Sequence, residues 1–326
     1  MKRVGQVEHA QWLYRAASRE LGSIQRERAN RPSPSHRDSG EGSAMTAGLS
    51  NLTRLATMTE AEDSPLYVTA LAKGLSVLTA FGPSRPAMNL LELADATGLN
   101  KSTIQRSVFT LEALGYLARD GGSKRYRLTV KSLEMGTGYL QTAELVERAN
   151  PFIQQLNRQT GESCNLLEPW ETDMVYVARF TSHKEMPIHV PIGQRLPMYC
   201  TAAGRAYLSA LPKEAASAYI ERSKRTAFTA HTVTDPDALM ALLQRAHTDG
   251  FSLITEEIYV GDIAVGACIV NADGQPLAAI NISVPFSRWR PEQVLSDLAP
   301  QLVNTARAIS SAAKGLKPAG TIKQQT

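Results

Sequence analysis

A cluster of polar side chains just after position 100 has the chemistry needed to contact nucleic acid. Arg106 can donate two parallel hydrogen bonds to guanine, and Gln105 can pair in the same way with adenine. Lys101 and Ser102 can hold phosphate groups, and Thr103 adds a further hydroxyl. This close spacing predicts a surface that reads the base edges of double-stranded DNA.

A second group of candidate DNA contacts consists of Lys124, Arg125 and Arg127. These basic residues follow a Gly-Gly turn sequence, and the alternation on both sides of it predicts two strands, Tyr116 to Arg119 and Arg125 to Leu128. Such a hairpin would place positive charge beside the DNA backbone or the minor groove. The same outline also occurs in modules that bind only proteins, so that alternative stays open.

Two helices joined by a tight turn are expected to position the first cluster. The first helix would present one apolar face, made by Leu90, Leu93, Ala94 and Thr97. Gly98 can end this helix in the left-handed conformation, and Asn100 is a good cap for the next one. In the second helix, the residues at core spacing are Ile104, Val108 and Leu111. The whole pattern is typical of a winged helix-turn-helix.

The segments on either side of this motif are also predicted to be helical. Tyr67 to Phe81 has helical spacing before a Gly-Pro stop, with four residues expected to pack inward: Val68, Leu71, Leu75 and Leu78. Residues 129–149 are predicted to form a linker helix, weakened by Gly136 and Gly138.

Length and charge distribution suggest two domains and a nucleic-acid partner for one of them. The chain has 326 residues and a net charge of +4. Residues 67–131 hold nine Lys or Arg against four Asp or Glu, whereas residues 132–326 hold 17 against 19. Positive charge is therefore concentrated where counterion release on DNA requires it. Three cysteines without CxxC spacing predict neither disulfides nor a metal site, and no cofactor is expected. This cysteine usage predicts a reducing, cytoplasmic location, and because no apolar run of membrane length occurs, no membrane contact is expected.

Residues 1–60 differ in composition from the rest of the chain. They are poor in large apolar residues over much of their length and rich in Arg, Ser, Pro and Gly, which predicts a disordered, basic extension. Two interpretations stay open. Either translation begins at Met45, or the extension is an arm that adds affinity for DNA.

Residues 150–317 are predicted to form a second domain of mixed helix and strand, followed by a tail at 318–326. A helix should begin at Pro151 and end at Gly161, and a capped helix should follow Asp235. Five strands are predicted, namely Cys164 to Glu168, Met174 to Phe180, Phe251 to Ile258, Ile263 to Asn271 and Ala278 to Val284. A last helix should run from Pro291 to Lys314. The fold class is therefore α+β, with a mainly antiparallel sheet covered by helices.

Residues 66 to 317 resemble the IclR family of bacterial transcriptional regulators. The resemblance is carried by LELADATGLNKSTIQRSVFTLEALGYL, by PIGQRLPMYCTAAGRAYLSAL and by DGFSLITEEIYVGDIAVGACIVNADGQPLAAINISVPFSR. It implies a winged helix-turn-helix over 66–128, a helical linker used in dimerisation, and a GAF-like domain that binds a small carboxylate effector. It also implies a homodimer or a homotetramer that represses or activates transcription from operator DNA.

The resemblance also nominates an effector site, and the residues support it. Thr201 is a plausible helix cap, and the small Ala202 and Ala203 leave backbone N–H groups accessible to a carboxylate. An ordinary capped helix is the alternative. The remaining candidates are Met198, Tyr199, Cys200, Ile254, Glu256, Asp262, Ala264, Cys268 and Ser283, with Ile263 and Ile282 as further apolar lining.

Two substitutions bear on the class of effector. Members that respond to glyoxylate-type acids tend to have Asp and Cys where this chain has Ile254 and Ala264. The apolar residues favour a larger organic acid, and the Tyr-Cys-Thr run resembles that of members that respond to aromatic acids. Two other classes of function stay open: a hydrolase that uses Cys200 at a helix N-terminus, and a ligand-sensing module without DNA binding.

Overall fold

The computed structural model describes residues 62–184 and 190–318, which belong to two compact units divided after Gln141. The predicted extension at 1–60 and nearly all of the tail at 318–326 lie outside the described residues. We call residues 62–141 the N-terminal unit, and we call residues 142–184 and 190–318 the C-terminal unit.

In the N-terminal unit, three helices and a two-stranded hairpin surround a small core. The elements are α1 (Thr69–Thr79), α2 (Leu90–Thr97), α3 (Lys101–Ala113), β1 (Leu117–Arg119) and β2 (Tyr126–Leu128). The strands are antiparallel, with Leu117 opposite Leu128. The core is formed by Val77, Met88, Leu93, Ile104, Val108, Leu111, Leu117 and Tyr126. This arrangement confirms the predicted winged helix-turn-helix.

Local capping explains where α2 and α3 begin and end. Asn89 and Glu92 form a reciprocal capping box at the start of α2, and Gly98 ends it with φ of 69°. The side chain of Asn100 accepts a hydrogen bond from the Thr103 amide and so begins α3. These short-range interactions fix the tight turn between the two helices.

The predicted orientation of α1 is wrong for three of its residues. Val68 and Leu71 are each 61% exposed and Leu75 is 45% exposed, whereas Val77 is fully buried. At about 100° per residue, Leu75 and Leu71 lie roughly 160° and 120° around the helix from Val77. The side of α1 that packs into the core is therefore the one that carries Val77 and the partly buried Leu78.

The segment after the hairpin is more broken than the single linker helix predicted over residues 129–149. A 3₁₀ turn at Val130–Ser132 leads into α4 (Leu133–Thr142), and α5 (Glu144–Thr160) follows after Ala143. The predicted helix start at Pro151 is also wrong, because this proline lies inside α5. Proline removes one backbone hydrogen bond there, but the buried face of α5 continues on both sides of it: Val146, Ala149, Ile153 and Leu156.

The C-terminal unit is built on an antiparallel sheet, as predicted, but this sheet has six strands where five were predicted, because the short strand at Arg195–Pro197 was missed. Its strands are β3 (Ser163–Trp170), β4 (Asp173–Phe180), β5 (Arg195–Pro197), β6 (Ser252–Thr255), β7 (Asp262–Val270) and β8 (Pro276–Pro285). They follow the spatial order β5-β4-β3-β8-β7-β6. The strand predicted to reach Ile258 ends at Thr255, because Glu256 adopts a positive φ of 56° that interrupts the extended backbone.

The other helices of the C-terminal unit pack against this sheet or against one another. They are α6 (Ala202–Ser209), α7 (Lys213–Arg222), α8 (Pro236–Asp249), a short α9 (Pro291–Gln293) that continues through a π-helical turn at Val294–Leu298, and α10 (Ala299–Ala312). Helix α6 contacts β7 and β8, and helices α5 and α10 contact β3 and β7 respectively. Alternate residues on both sides of the central strands are buried, as expected for a sheet covered on two faces.

Candidate functional site

One face of α3 in the N-terminal unit is exposed and polar. Lys101, Ser102, Gln105 and Arg106 are all exposed, while the opposite face of the helix is buried in the core. Thr103 is partly buried, and its amide is used by the cap. The structure therefore brings four of the five predicted base or phosphate contacts onto one exposed surface, at the N-terminal half of a helix that fits a major groove.

The hairpin separates its basic residues into two groups. Lys124 and Arg127 are exposed, and Lys124 lies at the turn with φ of 56°. Arg125 instead forms an ion pair with Glu92 of α2 and donates a hydrogen bond of 2.8 Å to the Ala87 carbonyl. The Arg125 side chain thus ties the hairpin to the helices, a role that sequence reasoning missed.

In the C-terminal unit, a recess opens between the sheet, the N-terminus of α6 and the loop after β6. Its cavity volume is about 30 Å³, and the unfilled space at this place rises to about 500 Å³ when the part open to solvent is included. Its lining is mixed, because the strands contribute both apolar and polar side chains. The lining residues are Asn165, Leu167, Tyr176, Arg179, Val190, Leu196, Thr201, Ala202, Ile254, Ile258, Tyr259, Asp262, Ala264, Asn281 and Ser283. Apolar side chains with a few polar groups among them are the lining typical of sites for small organic molecules.

Two glycines allow α6 to sit close to the sheet at this recess. A Cβ atom on Gly266 of β7 would lie 2.4 Å from the carbonyl carbon of Ala202, and one on Gly204 would lie 2.3 Å from Cα of Met198. Thr201 caps the helix as predicted, since its Oγ1 accepts a hydrogen bond of 3.2 Å from the Gly204 amide. The first-turn amides of such a helix point toward its N-terminal end and favour an anion there.

Six of the twelve predicted effector contacts line the recess: Thr201, Ala202, Ile254, Asp262, Ala264 and Ser283. Five others are not among the lining residues and are buried or partly buried in the packing: Met198, Tyr199, Cys200, Ala203 and Cys268. Glu256 lies in the loop after β6 and accepts a hydrogen bond from the Gly261 amide. The further apolar candidates Ile263 and Ile282 are not lining residues either, because neighbours in a strand point to opposite faces.

Several polar lining residues were missed by the sequence reasoning. Asn165 donates a hydrogen bond of 2.8 Å to Asn281 on the adjacent strand, and both side chains are almost completely buried. Arg179 donates a hydrogen bond of 2.7 Å to the Val190 carbonyl. An asparagine inside an otherwise apolar strand was the available signal, because buried polar residues need a specific partner or ligand.

In the described part of the chain, two charged side chains line the recess, the acidic Asp262 and the cationic Arg179. Burial raises the pKa of Asp262 to about 6, although the Ser283 hydroxyl and the nearby Arg179 lower it. Burial also raises the pKa of Tyr176 to about 12, and the pKa of Tyr259 is raised in the same direction. Both phenols therefore stay protonated at neutral pH and can donate or accept hydrogen bonds.

A buried ion pair fixes the loop that follows β6. Arg205 of α6 binds both carboxylate oxygens of Glu257 at 2.5 and 2.6 Å, and its Nε donates to the Tyr199 carbonyl at 2.7 Å. Glu257 also accepts a hydrogen bond from the Val233 amide. The pair thus holds α6 against the loop that supplies Ile258 and Tyr259 to the recess.

Cys200 does not have the surroundings of a nucleophile. Its side chain is buried, and burial raises the pKa of the thiol to about 12. A thiol with such a pKa carries almost no thiolate at neutral pH, and this weakens the hydrolase alternative. Among the described residues, no group of His, Cys, Asp and Glu could hold a metal ion, and no helix is long and apolar enough to span a bilayer.

Comparisons with known proteins identify relatives of both units. The family model for the bacterial transcriptional regulator IclR C-terminal domain matches residues 137–311, and that for the IclR helix-turn-helix domain matches residues 70–121. The chain is 32% identical over 248 residues to the p-hydroxybenzoate hydroxylase transcriptional activator of Acinetobacter baylyi, covering 74% of this chain and 91% of the relative. It is 30% identical over 244 residues to the Pca regulon regulatory protein of Pseudomonas putida, covering 74% and 83%. A crystal structure of a transcriptional regulator from Rhodococcus sp. RHA1 is 35% identical, with a TM-score of 0.67 and coverage of 76% and 98%.

Proposed function

Because the chain belongs to the IclR family of effector-responsive, DNA-binding transcriptional regulators, we propose that the recess of its C-terminal unit binds an aromatic monocarboxylic acid. The observation that carries this proposal is the composition of the recess: apolar side chains, a few polar side chains and the N-terminus of α6 at its edge. Apolar walls suit a ring, and a few polar groups fix its orientation.

The carboxylate of the effector is assigned to the N-terminus of α6. Thr201 and Ala202 line the recess there, and Ala203 is the next residue in the first turn. The amides of Ala202 and Ala203 donate no hydrogen bond to any residue that the structure describes. An anion placed there would gain hydrogen bonds and favourable interaction with the helix dipole.

The aromatic class is supported by the chemistry of the walls and by one relative. Ile254 and Ala264 leave apolar surface where a small polar effector would need hydrogen-bonding groups. The name of the Acinetobacter relative connects that protein to the enzyme that hydroxylates p-hydroxybenzoate. We therefore use 4-hydroxybenzoate as the first probe.

DNA recognition is assigned to the N-terminal unit, predicted to extend over 66–128 with a linker at 129–149 and the effector domain at 150–317. The proposed contacts are Lys101, Ser102, Thr103, Gln105, Arg106, Lys124 and Arg127, with Arg125 supporting the hairpin. Operator DNA lies in the cytoplasm, and we place the regulator there. Exposed apolar residues of the same unit support assembly as a homodimer, or as a homotetramer of two dimers: Leu71, Leu75, Val130, Leu133 and Met135.

The test is a mobility-shift titration of the full chain on DNA from its own promoter region, with excess competitor DNA. We expect specific retardation that changes with 4-hydroxybenzoate and not with glyoxylate. Arg106→Ala should abolish discrimination between operator and competitor. Lys124→Ala should weaken binding to both and reduce the slope of log K against log salt by about 0.9 per lost phosphate contact.

Each half of the proposal has its own contrary result. Operator binding by Arg106→Ala at wild-type specificity would refute the groove assignment. A shift altered by glyoxylate and unaffected by any aromatic acid would refute the effector class while leaving the DNA assignment intact.

A further inference from the structure

Asp262 is the only acidic side chain among the described residues that line the recess. It lies at the first position of β7, and its side chain is 8% exposed. The Ser283 hydroxyl donates a hydrogen bond of 2.8 Å to its Oδ1. Its Oδ2 accepts no hydrogen bond from the described part of the chain. An ionised carboxylate in a recess can only accept hydrogen bonds, so it calls for a donor on the ligand.

The groups that face Asp262 come from three elements around the recess. Arg179 and Tyr176 are on β4, Tyr259 is in the loop after β6, and Ser283 is on β8. Arg179 is the only cation among the described lining residues. A second ligand carboxylate beside Asp262 would meet a like charge in a poorly solvated place, which costs far more than it does in water.

We propose that Asp262 determines specificity by accepting a hydrogen bond from a hydroxyl group at the end of the effector opposite its carboxylate. The proposal rests on the function proposed above, because it takes the carboxylate to be bound at α6. It names the effector class as hydroxy-substituted monocarboxylic acids, and it predicts that dicarboxylic acids of the same shape are rejected.

The spacing along β7 supports this assignment. Gly266 lies directly beneath Ala202 at the N-terminus of α6, and Asp262 is four residues earlier on the same strand. Four residues of strand span about 13 Å. That span accommodates a benzene ring with polar groups at its two para positions and a hydrogen bond of about 2.8 Å at each end. Ala264, midway between them, also lines the recess and has a small side chain.

The raised pKa of Asp262 agrees with this role. Burial raises the pKa of Asp262 to about 6, because the Ser283 hydroxyl and the nearby Arg179 only partly offset the loss of water around the carboxylate. A donated hydroxyl hydrogen bond would favour the ionised form and lower this pKa. Binding near pH 6 should therefore release protons, and the fraction released should fall at higher pH.

The experiment is isothermal titration of the full chain at pH 7.5 with matched acids. The pairs are benzoate with 4-hydroxybenzoate and butyrate with 4-hydroxybutyrate, and terephthalate serves as the dicarboxylate. The wild type should bind the hydroxylated member of a pair about 10- to 100-fold more tightly, the range expected for a hydrogen bond to a charged group. Terephthalate should bind more weakly than benzoate.

Variants separate recognition from folding. Asp262→Ala should lose the preference for the hydroxyl and keep benzoate affinity, whereas Asp262→Asn should keep part of the preference and admit terephthalate. Asp273→Ala removes an exposed acid from the β7–β8 turn and should behave as the wild type does. Retained benzoate binding by Asp262→Ala also shows that the variant is folded.

The outcomes distinguish the two proposals. If only the aliphatic pair binds and its hydroxylated member is preferred through Asp262, the aromatic class fails and the role of Asp262 stands. Equal affinity for both members of each binding pair, or a preference that survives Asp262→Ala, overturns the role of Asp262 alone. Absence of binding by every acid overturns both.

Discussion

The buried ion pair between Arg205 and Glu257 provides the sharpest test of how the recess is held in shape. Its side chains are 2% and 7% exposed, and two short hydrogen bonds join them. Arg205→Met leaves the Glu257 carboxylate buried without its cation, and Glu257→Gln leaves the guanidinium without its anion. We expect each single substitution to lower the free energy of unfolding by about 3–5 kcal/mol.

This loss can be measured in the full chain. For a unit of this size, about 3–5 kcal/mol corresponds to a fall in Tm of roughly 10 °C. Trp170 and Trp289 both lie in the C-terminal unit and no tryptophan occurs in residues 62–141, so tryptophan fluorescence reports mainly on the affected unit. Arg195→Met is the control, because Arg195 pairs with Glu171 and Asp173 at the surface. Such an exposed network should change stability by less than about 1 kcal/mol.

The double variant decides whether the energy belongs to the pair. Arg205→Met with Glu257→Gln removes both charges of the pair and leaves neither partner unpaired, so its loss should be smaller than the sum of the two single losses by about 2 kcal/mol or more. Strict additivity, or single variants that melt within about 2 °C of the wild type, would refute the reasoning. All three variants should also bind effector more weakly, because the pair positions the loop that carries Ile258 and Tyr259.

Four further predictions concern other parts of the chain. Gly266→Ala should lower the free energy of unfolding by about 1–3 kcal/mol in denaturant titrations, because the new Cβ atom would lie 2.4 Å from the backbone of α6. Gly315→Ala is the control: Gly315 has open space around it, so this substitution should leave the free energy of unfolding unchanged. Folding raises the pKa of Asp262 from its usual 3.8 to about 6, so the folded protein binds this proton more tightly than the unfolded chain does. The free energy of unfolding should therefore fall by up to about 3 kcal/mol as the pH rises from below 3.8 to above 6. Asp262→Asn should remove this pH dependence from unfolding curves. Glu162 should have the opposite pH dependence: burial acts to raise its pKa, but hydrogen bonds from a lysine, a tryptophan and an arginine lower the pKa below 4.5 overall. The ionised Glu162 therefore stabilises the fold at neutral pH, and this stabilisation is lost in acid. Glu162→Gln should flatten the fall of the free energy of unfolding at acid pH. Arg125→Ala removes the ion pair with Glu92 and should destabilise the N-terminal unit by about 1 kcal/mol, measured by the loss of helical circular dichroism. It should leave the salt dependence of DNA binding unchanged. A reduced slope of log K against log salt would instead make Arg125 a phosphate contact.

The helix-turn-helix could be predicted from sequence because short-range interactions specify it. Gly98 ends one helix, Asn100 caps the next, and the buried positions of α3 recur at helical spacing. The orientation of α1 could not be predicted in the same way. Apolar residues occur on more than one side of that helix, and only the packing around Val77 selects which side is buried.

The recess was only partly predictable, because its polar residues come from distant parts of the chain. Asn165 and Asn281 are 116 residues apart, and Arg205 and Glu257 are 52 apart. No local pattern joins such partners. Pro151 shows that a local signal can also mislead. Proline is common at a helix start, but here the apolar face of α5 continues on both sides of Pro151, and the helix continues with it.

The candidates in the last strands show how strand geometry should constrain any change of effector. A run of motif residues nominated Ile263 with Ala264 and Ile282 with Ser283, but a strand presents only every second residue to one face. The structure selects Asp262 and Ala264 on β7, with Asn281 and Ser283 on β8, and Ala264 pairs directly with Ser283. Substitutions at these alternate positions change the chemistry that the effector meets. Substitutions at the intervening isoleucines change core packing instead, so their effect on effector affinity should follow the loss of stability and not the chemistry of the acid.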